Sequence, residues 1–144
     1  MSEEQVDATE AAGREQKIAG LKAAYAAFAR RDYAAMVELF DPEIEIREPP
    51  ELPGASVSRG REGAVRTLMK LQEAFADMEF RTHDFRQIDD CVLVSMDWLG
   101  RGVGSGVRSR VGLWHLWWFR NGLAVRVHVY LDRAQALEAV GLRE

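Results

Sequence analysis

The segment 111–119 most restricts how this chain can fold, because it is apolar on both sides of an extended strand. Successive side chains of a strand point to opposite faces of its sheet. The two sets are Leu113, Trp117 and Phe119 on one face, and Trp114, Leu116 and Trp118 on the other. A sheet that only covered helices would leave one face to water. The segment therefore predicts a strand covered on both sides. The simplest second cover is another copy of the chain, in a homodimer that buries the Trp117 side.

Helices are predicted early in the chain and antiparallel strands late. Helical spacing of apolar residues occurs in 18–29, 33–40 and 65–75, and alternation occurs in 43–48, 91–99, 108–120 and 123–131. Asn121-Gly122 is typical of a type I′ hairpin turn, and Asp132 and Gly141 are typical of the start and end of a last short helix. This order predicts an α+β fold in which three main helices pack on a strongly curved, mostly antiparallel sheet.

Composition indicates one domain and argues against a nucleic-acid partner. The chain has 144 residues, of which 47% are hydrophobic, so it is long enough to bury a core. Residues 1–14 are acidic and aperiodic, which predicts a disordered segment before a single domain over 15–144. The formal net charge of −4, with arginines spread among acids, argues against binding to nucleic acid.

No secretion, membrane, metal or cofactor motif is recognised in the sequence. The N-terminus lacks the basic and apolar regions of a signal peptide, and no apolar run reaches the ~20 residues of a membrane helix. We therefore expect a cytoplasmic protein without a membrane partner. The one cysteine, Cys91, cannot form an intrachain disulfide, and no His, Asp or Glu spacing predicts a metal site or a bound cofactor.

Several short segments together resemble the nuclear transport factor 2-like superfamily, and within it the SnoaL-like proteins and ketosteroid isomerases. They are Tyr25–Phe40, the sequence FDPEIEIREPP over 40–50, Gly60-Arg-Glu, the hairpin 118–126 and the ending Tyr-Leu-Asp over 130–132. The resemblance implies a cone-shaped domain with a cavity between the helices and the concave sheet face, and dimers formed through the sheet. The superfamily includes isomerases, epoxide hydrolases, cyclases, dehydratases and non-enzymes, so it does not decide the chemistry.

Glu48 is the first candidate catalytic residue. By alternation it shares a face with Ile44 and Ile46, and a carboxylate on an apolar face is desolvated, which suits a general base. Pro49 restrains Glu48 to an extended backbone. The resemblance implies the same role, because Glu48-Pro49 stands where ketosteroid isomerases have the Asp-Pro whose carboxylate transfers the proton. The alternative is a residue at the strand end that reaches solvent past the rim.

Tyr25 is the second candidate catalytic residue, on the core face of the first helix, where its hydroxyl needs a partner or a cavity. The resemblance implies an oxyanion-binding role, and the alternative is a packing tyrosine. The chain also departs from the isomerases, since their second oxyanion-hole acid aligns with Gly112 and an expected tryptophan aligns with Leu131. Epoxide hydrolases need two aspartates around an arginine; Arg110 fits the arginine, but Gly112 is not an aspartate.

The expected cavity is lined by aromatic and aliphatic side chains with one cation. The predicted substrate-binding residues are Phe28, Phe40, Val94, Met96, Trp98, Arg110 and Trp114, with Arg110 as an anion stabiliser. We expect Gly112 and the apolar face of 125–131 to point toward the cavity. Alternation then places His115 and His128 on the convex face, in a dimer interface or at the surface.

Two functions stay open at this point. The first is a cofactor-independent acid–base enzyme, an isomerase, dehydratase or cyclase, that acts on a hydrophobic, carbonyl-bearing small molecule with Glu48 as base and Tyr25 as donor. The second is a non-catalytic, dimeric ligand-binding or interaction domain with the same cavity. The missing acid at Gly112 favours the second function, and Glu48 on an apolar face favours the first.

Overall fold

Most helical residues precede most strand residues in the chain, as the sequence predicts. The computed structural model describes residues 3–142. Its helices are α1 (Glu3–Ala29), α2 (Tyr33–Met36), α3 (Gly60–Ala74) and α4 (Arg133–Glu138), and a 3-10 turn, Val37–Leu39, follows α2. Its strands are β1 (Phe40–Arg47), β2 (Val57–Arg59), β3 (Phe75–Ile88), β4 (Cys91–Gly102), β5 (Arg108–Arg120) and β6 (Leu123–Tyr130).

The six strands form one curved, unclosed sheet in the order β2-β1-β6-β5-β4-β3. Strand β1 runs parallel to β6, and every other neighbouring pair is antiparallel. The register is irregular at two places between β3 and β4, at one between β5 and β6 and at one between β1 and β6, and bulges bend a strand and increase its twist. The predicted α+β class with a curved, mostly antiparallel sheet is therefore confirmed.

The main core lies between the helices and the concave face of the sheet. Its largest members that are almost fully buried are Leu21, Met36, Phe40, Ile44, Val92 and Val94. The start of α3 is tied to this core, because the guanidinium of Arg61 donates two hydrogen bonds to the Phe40 carbonyl, at 2.9 and 2.6 Å. Gly60, with φ of +80°, provides the left-handed backbone that turns the chain from β2 into α3.

The convex face of the sheet is covered by the last helix. Ala136 and Leu137 of α4 form a second buried cluster with Leu116, whose side chain has 0% exposure, and Trp114 and Trp118 pack half-buried at its margin. Helix α4 thus accounts for part of the second apolar face of β5. The expectation that the Trp117 side forms a dimer surface is wrong, because that side chain belongs to the main core; the homodimer itself stays a prediction.

Some element boundaries differ from those that the sequence predicts. Helix α1 begins at Glu3, whereas the sequence predicts a disordered segment over 1–14. Residues 10–20 contain no buried side chain, so this part of α1 has no apolar stripe for a periodicity search to detect. Strand β2 lies inside the predicted loop 51–60; at three residues it is too short to show alternation.

The turn and cap signals agree with the structure. Asn121 and Gly122 have φ of +53° and +80°, as a type I′ turn requires. The Asp132 carboxylate accepts a hydrogen bond from the Gln135 backbone N–H at 3.2 Å and caps α4. Among residues 3–142, none of the helices combines the length and hydrophobicity that crossing a lipid bilayer requires.

Phe40 joins the 3-10 turn to β1, and its truncation tests the main core. Its side chain is 2% exposed and its ring centroid lies 5.9 Å from that of Trp117. We expect Phe40→Ala to lower the free energy of unfolding by ~3–5 kcal/mol in urea denaturation, through lost burial and the resulting cavity. Met69→Ala, on an exposed position of α3, should change it by less than ~0.5 kcal/mol. A loss below ~1 kcal/mol for Phe40→Ala would contradict the packing described.

Candidate ligand-binding site

A cavity of about 310 Å³ lies between α1, α3, the turn after β1 and the concave face of the sheet. This volume is at the lower end of the range for small-molecule pockets. The polar or titratable residues of its lining are Tyr25, Glu48, Thr67, Trp98, His115 and Trp117. The remaining wall is apolar and includes Phe28, Met36, Phe40, Phe75, Phe80, Leu113 and Val127. Such a cavity accommodates a hydrophobic molecule with few polar groups.

The structure brings together five of the nine predicted site residues. Those that line the cavity are Tyr25, Phe28, Phe40, Glu48 and Trp98. Val94 and Met96 face the same side of β4 and are buried in the core, but they do not form part of the lining.

Arg110 and Trp114, which the sequence also predicts to line the cavity, lie elsewhere. The Arg110 guanidinium is exposed and donates to the Asp97 carboxylate at 2.5 Å, and Trp114 packs with the convex cluster. Both errors have one cause. The alignment of Gly112 with the cavity-facing acid of the isomerases assigns the even-numbered residues of β5 to the cavity face. In the structure Gly112 pairs with Asp97, and the cavity takes the odd-numbered residues of β5, among them Val111 and His115.

The principal polar feature of the cavity is a hydrogen-bonded group formed by Tyr25, His115 and Trp117. The Tyr25 hydroxyl lies 2.7 Å from Nδ1 of His115 and accepts a hydrogen bond from Nε1–H of Trp117 at 3.0 Å. The hydroxyl hydrogen has no other acceptor among the described residues, so we assign it to Nδ1, which places the proton of His115 on Nε2.

Burial keeps this group neutral. His115 is 6% exposed, and desolvation lowers the pKa of its imidazole from 6.5 to about 3. Desolvation likewise raises the pKa of the Tyr25 hydroxyl above its ordinary value, although the hydrogen bond from Trp117 opposes the shift. At neutral pH both side chains are thus uncharged. The Tyr25 hydroxyl donates to the imidazole of His115, whose Nε2–H has no partner among the described residues.

The two buried histidines lie on opposite faces of the sheet. His115 was expected on the convex face, and that prediction is wrong because it rested on the alignment of Gly112. His128 lies on the convex face as predicted, where its Nε2 contacts the Glu45 carboxylate at 2.8 Å and its ring packs on Trp118. The sequence held one usable signal for His115, since the Tyr25 hydroxyl on the core face of α1 needed a partner.

Glu48 lines the cavity, but its carboxylate is held at the rim. Its Oε2 accepts hydrogen bonds from the backbone N–H and the hydroxyl of Ser56, at 2.9 and 3.3 Å. The backbone N–H of Glu48 in turn donates to the Ser56 carbonyl at 3.1 Å. These contacts differ from the desolvated carboxylate that alternation predicts, because the turn over 49–55 brings Ser56 back to the strand end. The second oxygen, Oε1, has no partner among the described residues.

The polar residue on the apolar face of α3, Gln72, has a structural role. It is 6% exposed, its side-chain carbonyl accepts from the Tyr33 hydroxyl, and its amide donates to the Phe28 carbonyl at 2.9 Å. Gln72 thereby ties α3 to the end of α1 and to α2 and keeps the helical wall of the cavity in place. Within residues 3–142, no three His, Cys, Asp or Glu side chains are grouped to hold a metal ion.

Comparison with known proteins agrees with this fold. The profile of the SnoaL-like domain matches residues 21–127. The chain belongs to the SnoaL-like domain family. No curated protein matches the sequence at significant similarity. The fold is shared with several solved structures.

The similar structures have low sequence identity and high coverage. A nuclear transport factor 2-like protein of unknown function from Burkholderia pseudomallei K96243 is 18% identical, with a TM-score of 0.74 and 88% of this chain and 98% of that chain covered. TerC, co-crystallised with polyporic acid, is 21% identical, with a TM-score of 0.72 and 88% and 99% covered. A protein of Jannaschia sp. CCS1 named as a SnoaL-like polyketide cyclase is 16% identical, with a TM-score of 0.72 and 90% and 94% covered. At these identities the likeness shows the fold.

The neutral imidazole of this SnoaL-like protein predicts a specific pH dependence. The folded pKa of His115, about 3, lies below its ordinary value of 6.5, so acid protonates the unfolded chain preferentially. Its stability contribution is complete above the unfolded pKa and is lost as the pH falls toward the folded pKa. We expect the free energy of unfolding of wild type, relative to that of His115→Phe, to fall by up to ~1.4 kcal/mol per pH unit between about pH 6 and about pH 4 in urea denaturation.

The control for this measurement is Tyr25→Phe, which removes the hydroxyl and keeps the imidazole. Because desolvation causes the shift at His115, this variant should keep the acid-dependent slope of wild type even if its free energy of unfolding is lower throughout. Parallel profiles for wild type and His115→Phe would contradict a buried, neutral imidazole.

Proposed function

We propose that this protein binds an uncharged, hydrophobic small molecule with a carbonyl oxygen, and acts on it as a cofactor-independent acid–base enzyme. The observation that supports this most is the Tyr25–His115 pair in a mostly apolar cavity. Its imidazole presents one Nε2–H that has no hydrogen-bond partner among the described residues. This nitrogen is not one of the described side-chain atoms that are both fully buried and without a partner, and His115 lines the cavity. A carbonyl oxygen is the acceptor that such a neutral donor would take.

The charge of the lining supports an uncharged ligand. Neither lysine nor arginine contributes to the cavity wall in the described part of the chain, so a carboxylate or phosphate held inside would lack a counter-charge. Aromatic rings surround the donor: the Phe80 and Trp117 centroids lie 5.1 and 6.3 Å from the His115 ring. Aromatic or fused-ring ketones fit these walls.

The proposed reaction begins with removal of a proton from the carbon beside the carbonyl. The free Oε1 of Glu48 would accept that proton, while the Nε2–H of His115 would donate to the oxygen on which the enolate charge develops. The Tyr25 hydroxyl, by donating to Nδ1, fixes the tautomer that makes this possible. Return of the proton to another carbon gives an isomerase. Loss of a β-hydroxyl, which takes the proton from Glu48 and leaves as water, gives a dehydratase. Attack of the enolate on a second carbonyl, whose oxygen takes that proton, gives a cyclase.

The similar structure named as a polyketide cyclase supports this class of reaction. A second candidate function, ligand binding without catalysis, is favoured by a specific observation. The Glu48 carboxylate is engaged by Ser56 at the rim, and a base held there serves to fasten the turn rather than to meet a substrate. The two functions share the cavity and differ in what Glu48 does.

The first test follows hydrogen–deuterium exchange at the α-carbons of 2-tetralone in D2O by NMR. We expect wild type to accelerate the exchange and Glu48→Gln to slow the catalysed rate by about 10²–10⁴-fold while 2-tetralone still binds. Glu43→Gln, on an exposed position of β1, the strand that Glu48 follows, is the matched control and should exchange as wild type does. Binding without accelerated exchange would favour the non-catalytic function, and absence of binding would contradict both.

The second test concerns the donor in the cavity and uses a pair of ligands that differ only in the carbonyl. His115→Phe should weaken the binding of 2-tetralone by about 3–10-fold, the value of one net hydrogen bond. The hydrocarbon tetralin should bind wild type and variant equally, because it makes no polar contact. Isothermal titration calorimetry gives both constants, and an equal loss for the two ligands would mean that the substitution only disturbs packing.

A further inference from the structure

One valine of β6, Val129, lies between the candidate base and the candidate donor on the floor of the cavity. Glu48 follows Arg47, whose partner in the parallel strand β6 is His128, and the Glu48 backbone N–H continues the pairing of β1 with β2 by one residue. Val129 follows His128 and is the partner of His115 in β5. Because paired strands advance together, Glu48, Val129 and His115 lie in one row across the sheet, and all three line the cavity.

This row defines the space in which the proposed reaction would occur. Neighbouring strands of a sheet are about 4.8 Å apart, so the backbones of Glu48 and His115 are about 10 Å apart, with Val129 halfway between them. Side chains of a strand stand roughly perpendicular to the sheet, and the curvature of this sheet brings the ends of concave-face side chains closer together. Valine is shorter than glutamate and histidine. The row therefore leaves a slot above Val129, with the carboxylate on one side and the imidazole on the other.

The Val129 side chain is open to this slot. It is half-buried, whereas Val127, the neighbouring valine on the same face of β6, is 3% exposed and belongs to the next row across the sheet. On the helix side of the cavity, Leu68 and Leu71 of α3 line the wall. A molecule above Val129 is therefore confined from the helix side as well as from the sheet side. A flat ring fits such a layer better than a branched carbon does.

We propose that Val129 is the residue that determines which ketones the cavity accepts. It admits a ketone whose carbons beside the carbonyl are unbranched CH2 groups, and it excludes a ketone that carries methyl groups on those carbons. The reason is steric, because the carbon that gives its proton to Glu48 has to lie above the Val129 isopropyl group while the carbonyl oxygen meets His115. The inference names the substrate class of the proposed function and rests on that function for the roles of the carboxylate and the donor.

Two isomeric ketones separate the effect of branching from that of size. In trans-1,3-dimethyl-2-indanone both carbons beside the carbonyl carry a methyl group, one on each face of the ring, so either face presents a methyl group to Val129. In 5,6-dimethyl-2-indanone the two methyl groups lie on the benzene ring instead. We expect isothermal titration calorimetry to show that the wild type binds the first isomer about 10–200-fold more weakly, which is the usual effect of one carbon too many in an apolar pocket.

Substitutions at Val129 should change this ratio in a defined direction. Val129→Ala removes the steric contact and should reduce the ratio to less than about threefold. The matched control is Val127→Ala, which removes the same two methyl groups from the next row of the cavity floor and should keep the ratio of the wild type. Val129→Ile retains a β-branched side chain but narrows the slot, and it should weaken the binding of 5,6-dimethyl-2-indanone by about tenfold. Circular dichroism would establish that each variant is folded.

The outcomes separate this inference from the function on which it rests. Equal binding of the two isomers by the wild type, or a ratio that Val129→Ala leaves unchanged, would overturn the role of Val129 and leave the proposed function standing. Binding of 2-tetralone without binding of 5,6-dimethyl-2-indanone would also overturn it, because that isomer is unbranched beside the carbonyl. If Val129→Ala did not fold, unchanged binding of 5,6-dimethyl-2-indanone by Val129→Ile would decide against the inference. Absence of binding of all three ketones would be the failure of the proposed function itself.

Discussion

Both faces of the central strand β5 have to be shielded from water, and the positions of the other elements follow from that requirement. On the concave face α1 and α3 bury Leu113 and Trp117, and on the convex face α4 buries Leu116. Removing this much aromatic and aliphatic surface from water is the main favourable term in folding a domain of this size. The bulged pairing of the sheet curves it around the helices, and the space that the helices do not fill becomes the cavity.

Polar groups inside such a space must satisfy one another. Tyr25, His115 and Trp117 do so in a chain of two hydrogen bonds, at 2.7 and 3.0 Å, and Gln72 does so between two other elements. The two groups differ in whether a hydrogen-bonding atom is left without a partner in the protein. Both ends of the Gln72 amide are used within the protein, so it serves the fold. The Tyr25 group leaves one N–H of His115 available to the cavity, which makes it the candidate for recognition of a ligand.

The candidate base and the candidate donor are held by different kinds of structure. His115 lies on a central strand between two neighbours, which fixes its position by the register of the sheet. Glu48 follows the last residue of β1 and is fastened by Ser56 across a short turn. A site of this kind combines a hydrogen-bond donor fixed by the sheet with a carboxylate whose position depends on the turn over 49–55.

The sequence by itself determined the class of the fold, the order of the elements and the I′ turn at Asn121-Gly122, whereas the cavity that Tyr25, Phe28, Phe40, Glu48 and Trp98 line was implied by the family resemblance. The first three depend on local backbone preferences and on periodicity within one element, which a chain carries in its own residues. It did not determine which face of β5 looks inward, because both faces are apolar and alternation then gives two equal answers. Only packing against α1 on one side and α4 on the other decided that His115 joins Tyr25 in the cavity. Likewise, only the return of the chain to Ser56 decided where the Glu48 carboxylate rests, because that contact is made across a turn that no pattern along β1 describes.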